Sequence, residues 1–333
     1  MGPKVSVIIA VYGAERYIER CAVSLFEQSL DDIEYIFIND CTKDRSIEVL
    51  ESVVERYPHR REQIRIENMS VNSGQAAVRR RGIELAKGEY IIHCDSDDWV
   101  DRSMYSDMYN SAIANDSDIV VCDWFVVDSS QKAYLTQQLP ATKYGLINGL
   151  LSGSVEGYLW NKLVRSSLYS TIEYYPVRNL TEDMVMCVQL FYNAHRVSHI
   201  ARGYYYYFQN SESITQKRID EYHTLKLGVD LYENFLLIER FLRAKSDYMN
   251  FEQSLILRKY RVKLGLRNIC FLKGGTRCWR NILPELKPFE VFRYNLPLRT
   301  KLGYIITHLG IYGSYKRLPD SELLAKMFIT KTQ

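Results

Sequence analysis

Residues 88–99 read GEYIIHCDSDDW, which passes from an apolar run directly into three carboxylates within four positions. Residues 90–92 have the composition of a short buried strand, whereas the acids that follow are poor material for continuing it. Asp95 and Asp97 are two positions apart, so in an extended segment both side chains can point to the same side. Such a pair suits a hard divalent cation, and a solvated acidic turn is the alternative interpretation of the same residues.

The chain before this stretch alternates between strand and helix patterns. Apolar, largely β-branched runs occur at 5–11, 33–38 and 64–66, and each is followed by a segment with apolar residues at helical spacing. Gly88 is expected to close the last of these helices. Together with the strand at 90–92, this alternation predicts a doubly wound α/β sheet with right-handed crossovers.

Polar side chains are predicted where these strands end or where the next helix runs. They are Tyr12, Glu15, Asp40, Arg79, Asp95 and Asp97. Because open α/β sheets bind ligands at the carboxyl ends of their strands, these residues are expected to converge on one edge of the sheet. The turn after the first strand lacks the GxGxxG pattern, and the chain has no GxxxxGK[ST], so neither a dinucleotide cradle nor a P-loop is predicted there.

The composition is that of a globular chain with an uneven charge distribution. Of its 333 residues 47% are hydrophobic, and the net charge is +3. Seven cysteines without a CxxC pair are typical of reduced thiols, no run of apolar residues is long enough to span a membrane, and a strand pattern starts directly after Lys4 where a leader would lie. A cytoplasmic protein is therefore expected.

The segment 258–318 holds fourteen Lys or Arg residues and two acids, interleaved with Tyr, Trp, Phe and Leu. This pattern is typical of a peripheral membrane segment, and it predicts contact with an anionic membrane surface on the inner face of the cell membrane. A nucleic-acid partner is not predicted, because no nucleic-acid-binding fold precedes the segment. A solvated helical surface is the remaining alternative.

Three segments resemble the family 2 glycosyltransferases of the GT-A fold. They are VSVIIAVYGAERYIERCAVSLFEQS from residue 5, IEYIFINDCTKDRS from residue 33 and NSGQAAVRRRGIELAKGEYIIHCDSDDWV from residue 72. The resemblance continues more loosely through LWNKLVRSSLY, LTEDMVMCVQLF and YYYYFQNSESIT, and so covers about residues 5–216. Residues 10–13 read AVYG where the family usually has Pro-Val-Tyr-Asn, and residues 78–80 read VRR where it has Ala-Arg-Asn.

The resemblance implies a role for each residue that matches the family pattern. Ala10, Tyr12 and Glu15 would line the nucleotide pocket, Asp40 would bind the base, Arg79 would contact the nucleotide or its phosphates, and Asp95 would lie near the ribose. Asp97 would ligate Mn²⁺ or Mg²⁺ on the diphosphate.

Asp183 would be the general base that takes the proton of the acceptor hydroxyl. Trp160, Asn161, Lys162 and Glu182 would lie on the acceptor side. From the residues alone, Glu182 and Asp183 could also be favourable charges in the first turn of a helix that Thr181 caps.

These expectations combine into one description of the chain. A GT-A catalytic domain, an α/β doubly wound mixed sheet, would span 1–216, with a nucleotide-binding half at 1–101 and an acceptor half at 102–216. A helical, basic region would span 217–333. The expected activity is inverting transfer of a sugar from a nucleoside diphosphate, here a UDP-hexose, to a growing cell-surface glycan or lipid-linked oligosaccharide. The alternatives are a catalytically silent membrane scaffold of the same fold and a sugar-nucleotide pyrophosphorylase.

Overall fold

A computed structural model describes residues 2–209, 221–267 and 275–310. Its strands are β1 (Val5–Val11), β2 (Ile33–Asn39), β3 (Ile64–Asn68), β4 (Tyr90–Asp95), β5 (Trp99–Val100), β6 (Ile119–Val127), β7 (Lys132–Leu135), β8 (Lys162–Arg165) and β9 (Val197–Phe208). Its helices are α1 (Ile18–Phe26), α2 (Ser46–Arg56), α3 (Gln75–Leu85), α4 (Met104–Ala114), α5 (Lys143–Ser152), α6 (Glu182–Asn193), α7 (Glu221–Arg243), α8 (Glu252–Gly265), α9 (Gly275–Asn281) and α10 (Leu298–Leu309).

In the described residues the strands form one mixed sheet in the order β3-β2-β1-β4-β8-β6-β9-β5, with β7 paired to β6. The first four strands are parallel, β8 runs antiparallel to both β4 and β6, and β9 is parallel to β6. The predicted α/β mixed sheet is therefore confirmed. In this register Ala10 lies between Ile38 and Asp95, which brings the carboxyl ends of β1, β2 and β4 together.

Gly88 does not close a helix, and that expectation is wrong. Helix α3 ends at Leu85, and a Cβ on Gly88 would lie 2.5 Å from the backbone nitrogen of Ser6. Glycine is required there because β4 enters the sheet in close contact with β1. The Gly88 N–H donates to the Ser6 hydroxyl at 2.7 Å, which fixes the register of the strand that delivers Asp95.

The C-terminal helices pack on the catalytic part of the chain. Phe241, Leu255, Trp279 and Tyr304 are fully buried and belong to the same hydrophobic cluster as residues of α5 and α6. Within the helical region predicted for 217–333, a turn at 244–251 separates α7 from α8. The proposed domain boundary at 216 lies outside the described residues, so the division into domains stays a prediction.

Candidate active site

The polar residues predicted from the strand ends lie at the carboxyl edge of the parallel strands. Asp95 is the last residue of β4, and Asp40 follows β2 directly. The Asp40 carboxylate is buried and accepts the backbone N–H groups of Ser73 and Gly74 at 2.7 and 2.9 Å. These bonds hold the loop that leads into α3. Because a carboxylate has about four lone-pair sites, Asp40 keeps capacity to accept a further bond from a base.

The other residues assigned to the nucleotide pocket surround this edge. Tyr12 is 54% exposed just beyond β1, in the turn where the Gly13 N–H donates to Thr42 Oγ1 at 2.9 Å. The Glu15 carboxylate accepts the backbone N–H of Arg45 at 3.1 Å and so links this turn to the start of α2. Direct contacts of these residues with a nucleotide stay a prediction.

Arg79 joins the two groups of acids that the sequence placed far apart. Its guanidinium is 3% exposed and donates to Asp95 Oδ1 at 3.0 Å and to Asp183 Oδ1. Glu182 Oε1 lies 3.9 Å from Arg79 Nε. Burial lowers the pKa of Arg79, but the carboxylates of Asp183, Asp95 and Glu182 outweigh it and raise the pKa. A buried permanent cation thus binds the end of β4 to the start of α6.

Asp183 is held from a second side by the loop before β8. Its Oδ2 accepts the backbone N–H of Leu159 at 3.2 Å. Burial raises the pKa of Asp183, and the Arg79 charge opposes this shift. The carboxylate is therefore oriented by two donors, while its side chain remains 15% exposed. An oriented, partly accessible carboxylate at this position can accept a proton from a bound hydroxyl group.

Thr181 precedes α6 but does not cap it with its side chain, so the predicted capping bond is wrong. The residue adopts a left-handed backbone conformation with φ +64°, and its hydroxyl makes no capping hydrogen bond. A β-branched residue rarely adopts this conformation, and such strain is often found beside functional sites. Here it directs Glu182 and Asp183 towards Arg79.

Glu182 is almost completely buried next to Asp183. Burial first, and the neighbouring Asp183 charge second, raise the pKa of Glu182 to about 8. Near neutral pH the pair therefore holds a proton, and the closer contact of Asp183 with Arg79 favours Glu182 as the residue that carries it.

The raised pKa of Glu182 predicts a pH-dependent stability that Glu182→Gln removes. The folded chain keeps this proton up to about pH 8, whereas the unfolded chain releases it near pH 4.5. Because the folded state binds more protons in this interval, the free energy of unfolding falls as the pH rises through it, by at most about 5 kcal/mol. Urea unfolding between about pH 5 and about pH 8 should show a steeper decline for wild type than for Glu182→Gln. Parallel pH profiles would contradict this protonation state.

Asp97 and Asp98 are adjacent in the chain but differ in burial and in hydrogen bonding. The Asp98 carboxylate is fully buried and accepts the Tyr205 hydroxyl and the Phe208 N–H, both at 2.7 Å. No side chain in the described ranges donates a hydrogen bond to the Asp97 carboxylate. Burial and the Asp95 charge raise the pKa of Asp97 to about 6. Asp98 is thus fixed to β9, and Asp97 is the acid available to an incoming cation.

The donor set at Asp97 fits a divalent metal that a ligand helps to hold. Among the described residues no three His, Cys, Asp or Glu side chains are close enough to form a protein-only metal cluster. Mg²⁺-type sites commonly use one or two carboxylates and fill the remaining positions with water and substrate phosphates. Asp97 and the nearby Asp95 supply oxygen donors of that kind. The metal assignment accordingly depends on a bound diphosphate and stays a prediction.

Arg20 and Tyr205 support the acidic loop at 95–98 through contacts that the sequence does not predict. Arg20 donates to the Asp97 carbonyl at 2.8 Å, while its guanidinium lies 3.8 Å from the centre of the Trp99 ring. The Tyr205 hydroxyl accepts the Asp95 N–H at 3.0 Å. Both contacts join distant parts of the chain, and neither has a local sequence signal.

Trp160, Asn161 and Lys162 lie beneath the site. All three are at most 3% exposed. The Lys162 ammonium donates to the carbonyls of Glu156 and Tyr158 at 3.0 and 2.5 Å. Lys162 therefore supports the loop that carries Leu159, and a role of the three residues in acceptor binding stays a prediction.

Aromatic rings stack above this floor. The sequence predicts that the run at 204–207 is half core and half sugar-facing, whereas it does not single out Tyr158. Tyr158 stacks on Trp160 with ring centres 4.9 Å apart, and Trp160 in turn stacks on Tyr205 at 4.3 Å. Tyr207 lies parallel to Trp160 at 6.2 Å. Its pKa is raised to about 12 by burial and by the charges of Asp98, Asp95 and Asp97. Aromatic faces thus lie near the acids, as a sugar-binding surface requires.

Comparison with known proteins gives concordant results. Residues 6–176 match the family model described as "Glycosyl transferase family 2". A glycosyltransferase of Bacillus subtilis (strain 168), EpsH, is 33% identical over 242 residues, which is 69% of this chain and 67% of the relative.

Two solved structures share the fold at low sequence identity. S. aureus TarS 1–349 in complex with UDP-GlcNAc has a TM-score of 0.60 and 15% identity, over 94% of this chain and 92% of that one. Mannosyltransferase PcManGT from Pyrobaculum calidifontis, in complex with GDP-Man and Mn²⁺, has a TM-score of 0.56 and 13% identity, over 96% of this chain and 89% of that one.

Proposed function

Because this chain belongs to glycosyl transferase family 2, we propose that it transfers a hexose from a UDP-sugar to a growing cell-surface glycan or lipid-linked oligosaccharide, with inversion at the anomeric carbon. One observation carries this proposal. Arg79 connects Asp183 to Asp95, so a base and the donor-side acids face a single site. TarS bound to UDP-GlcNAc supports the choice of a uridine nucleotide.

The donor would bind across the carboxyl edge of β1, β2 and β4. Asp40 would accept a hydrogen bond from the uracil, Tyr12 would cover the base, and Asp95 would lie at the ribose. Asp97 would hold Mn²⁺ or Mg²⁺ against the diphosphate, and PcManGT bound to Mn²⁺ supports this assignment. A cation there would neutralise charge on the departing nucleotide.

The transfer would be a single displacement assisted by Asp183. The acceptor hydroxyl oxygen forms a bond to the anomeric carbon while its proton moves to the Asp183 carboxylate. The bond between the anomeric carbon and the phosphate oxygen breaks, and its electron pair leaves with UDP. The Arg79 and Leu159 donors hold the carboxylate in place, and Glu182 keeps its own proton, so that only one new proton is accepted.

A lipid-linked acceptor would place the enzyme at a membrane surface. No helix in the part of the chain that the structure describes has the length and apolarity needed to cross a bilayer. We propose peripheral attachment through the basic region 258–318, with the protein acting on the cytoplasmic side.

UDP with Mn²⁺ is expected to stabilise the protein against heat. A ligand that binds the folded state at 100 times its Kd adds about 2.7 kcal/mol to the free energy of unfolding, which for a chain of this size is a rise in Tm of roughly 5 °C. UMP lacks the diphosphate and should give a smaller shift that is independent of metal. GDP should give little shift if Asp40 selects uracil. A thermal-shift titration with the three nucleotides, with and without Mn²⁺, measures this.

The absence of any UDP shift would favour the catalytically silent scaffold and contradict the proposal. If UDP does stabilise the protein, the donor sugar is identified by incubating the protein with a panel of UDP-hexoses and measuring the UDP released by slow hydrolysis. Incubation with a sugar 1-phosphate and UTP separates the pyrophosphorylase, because only that enzyme would form a UDP-sugar from them. We expect no product in that reaction.

A further inference from the structure

Helix α10 is apolar on two opposite faces. Its inner face is buried through Tyr304 and Thr307, as in any helix that packs on a core. Its outer face carries Leu298 and Leu302, which are 65% and 44% exposed and lie one turn apart, with Leu309 further along the same side at 55%. Packing on the core does not explain an outward leucine stripe, and contiguous exposed apolar surface is typical of an interaction site.

The turn before α10 extends this exposed apolar surface. Phe289 and Phe292 occupy a 3₁₀ turn at Pro288–Arg293, in which residues three apart point to the same side. They are 69% and 45% exposed, whereas Val291 between them is buried. Lys301 on α10 donates to the Phe292 carbonyl at 3.4 Å, which places the turn beside the helix. Phe289, Phe292, Leu298 and Leu302 are named here the apolar patch.

The charges around the apolar patch are positive and exposed. The side chains of Lys287 and Arg293 are 75% and 77% exposed, and their nearest acid, Glu290, lies at 4.0 and 3.8 Å. Arg299 is also exposed, on the first turn of α10. Cationic side chains can contact the headgroups of an anionic lipid surface, and the large apolar side chains beside them can insert at the boundary with the acyl chains.

Two lysines of α8, elsewhere in the basic region, form their contacts inside the protein. Lys259 is buried and paired with Glu239 at 2.7 Å and with Glu285. Lys263 is fully buried and donates to the Leu283 carbonyl at 3.2 Å. These cations cannot reach a membrane without unfolding α8. Within the described residues, these two α8 cations therefore do not contribute to a membrane surface, whereas residues 287–302 combine exposed cations with exposed apolar side chains.

We infer that the apolar patch inserts into the interface of an anionic lipid bilayer while Lys287, Arg293 and Arg299 contact the lipid headgroups. The inference deepens the proposed function and rests on it in one respect, because a membrane-borne acceptor requires the enzyme at the bilayer. It concerns a surface that contains none of the residues assigned to donor binding or proton transfer.

Sedimentation of the full chain with lipid vesicles tests this inference. We expect binding to phosphatidylcholine vesicles that contain phosphatidylglycerol, weaker binding to pure phosphatidylcholine, and loss of binding as salt is raised. Phe289→Ser with Phe292→Ser, and separately Leu298→Ser with Leu302→Ser, should each reduce the partition coefficient at least about tenfold. Arg293→Gln with Lys287→Gln should remove the preference for the anionic lipid.

A control pair and a second readout keep the outcomes distinct. Val71→Ser with Met249→Ser removes two side chains that are 62% and 71% exposed elsewhere, and it should bind vesicles as wild type does. Each variant should keep the UDP thermal shift, which shows an intact fold and donor site. Wild-type protein that fails to bind the vesicles, or patch variants that bind as wild type does, would overturn the inference. Patch variants that dissociate an oligomer in gel filtration but bind lipid as wild type does would also overturn the inference, and they would leave the proposed function intact.

Discussion

Asp183→Asn is expected to abolish sugar transfer while donor binding survives. The amide keeps the size of the side chain and can still accept the N–H of either Arg79 or Leu159, but it cannot take the proton of the acceptor hydroxyl. General-base assistance is worth about 10²–10⁴ in rate, so kcat should fall by that factor. The UDP thermal shift should stay close to that of wild type. Transfer assays with the identified donor, together with nucleotide titrations, measure both quantities.

Glu182→Gln is the matched control, because it changes the adjacent residue in the same way. Glu182 is already protonated near neutral pH, so its amide should preserve most of the activity. If Asp183→Asn and Glu182→Gln lost activity equally, the assignment of the base to Asp183 would be wrong. If Asp183→Asn lost UDP binding and transfer in parallel, the residue would serve the structure of the Arg79 cluster instead.

The repeating strands and helices were predictable because their signals are local. The apolar run of β1 and the composition of β4 followed from residues that are neighbours in the chain. The position of Asp40 and Asp95 at one edge then followed from the parallel topology alone. The local pattern nevertheless gave the wrong role to Gly88. Its contact partner Ser6 lies in β1, 82 residues earlier in the chain, so no local signal could show why glycine is needed there.

The side-chain contacts that organise the candidate active site at the edge of the sheet were not predictable from local sequence patterns. Arg79 belongs to a run of three arginines, and only the tertiary fold brings the end of β4 and the start of α6 close enough to bury this one among carboxylates. The two neighbouring arginines pair with Glu84 and Glu67 near the surface. Lys162 is a second example: the family resemblance places it on the acceptor side, and nothing local predicts that its buried ammonium donates to three oxygen acceptors. Burial of a charge depends on partners that folding supplies.

Asp97→Ala is expected to reduce sugar transfer at least about 100-fold without lowering stability. A metal that neutralises the leaving diphosphate supplies several kcal/mol at the transition state, and each 1.4 kcal/mol corresponds to a factor of ten in rate. Removing the proposed ligand should also remove the effect of Mn²⁺ on the UDP thermal shift. Burial and the Asp95 charge already disfavour the ionised Asp97 side chain, as its pKa of about 6 indicates. Its replacement by alanine should therefore leave the Tm unchanged or higher at neutral pH.

Loss of activity without loss of stability distinguishes an acid that binds the metal from an acid that stabilises the fold. Asp116→Ala, at a side chain that is 86% exposed and paired with Arg165 at the surface, should leave activity and metal response unchanged. Asp98→Asn should instead lower the Tm, because the fully buried carboxylate holds Tyr205 and Phe208. Transfer assays after removal of metal with a chelator and re-addition of Mn²⁺ provide the direct measurement. Wild-type turnover by Asp97→Ala in the presence of metal would show that Asp97 is not the metal ligand, since the charge on the departing nucleotide would then be neutralised by another group.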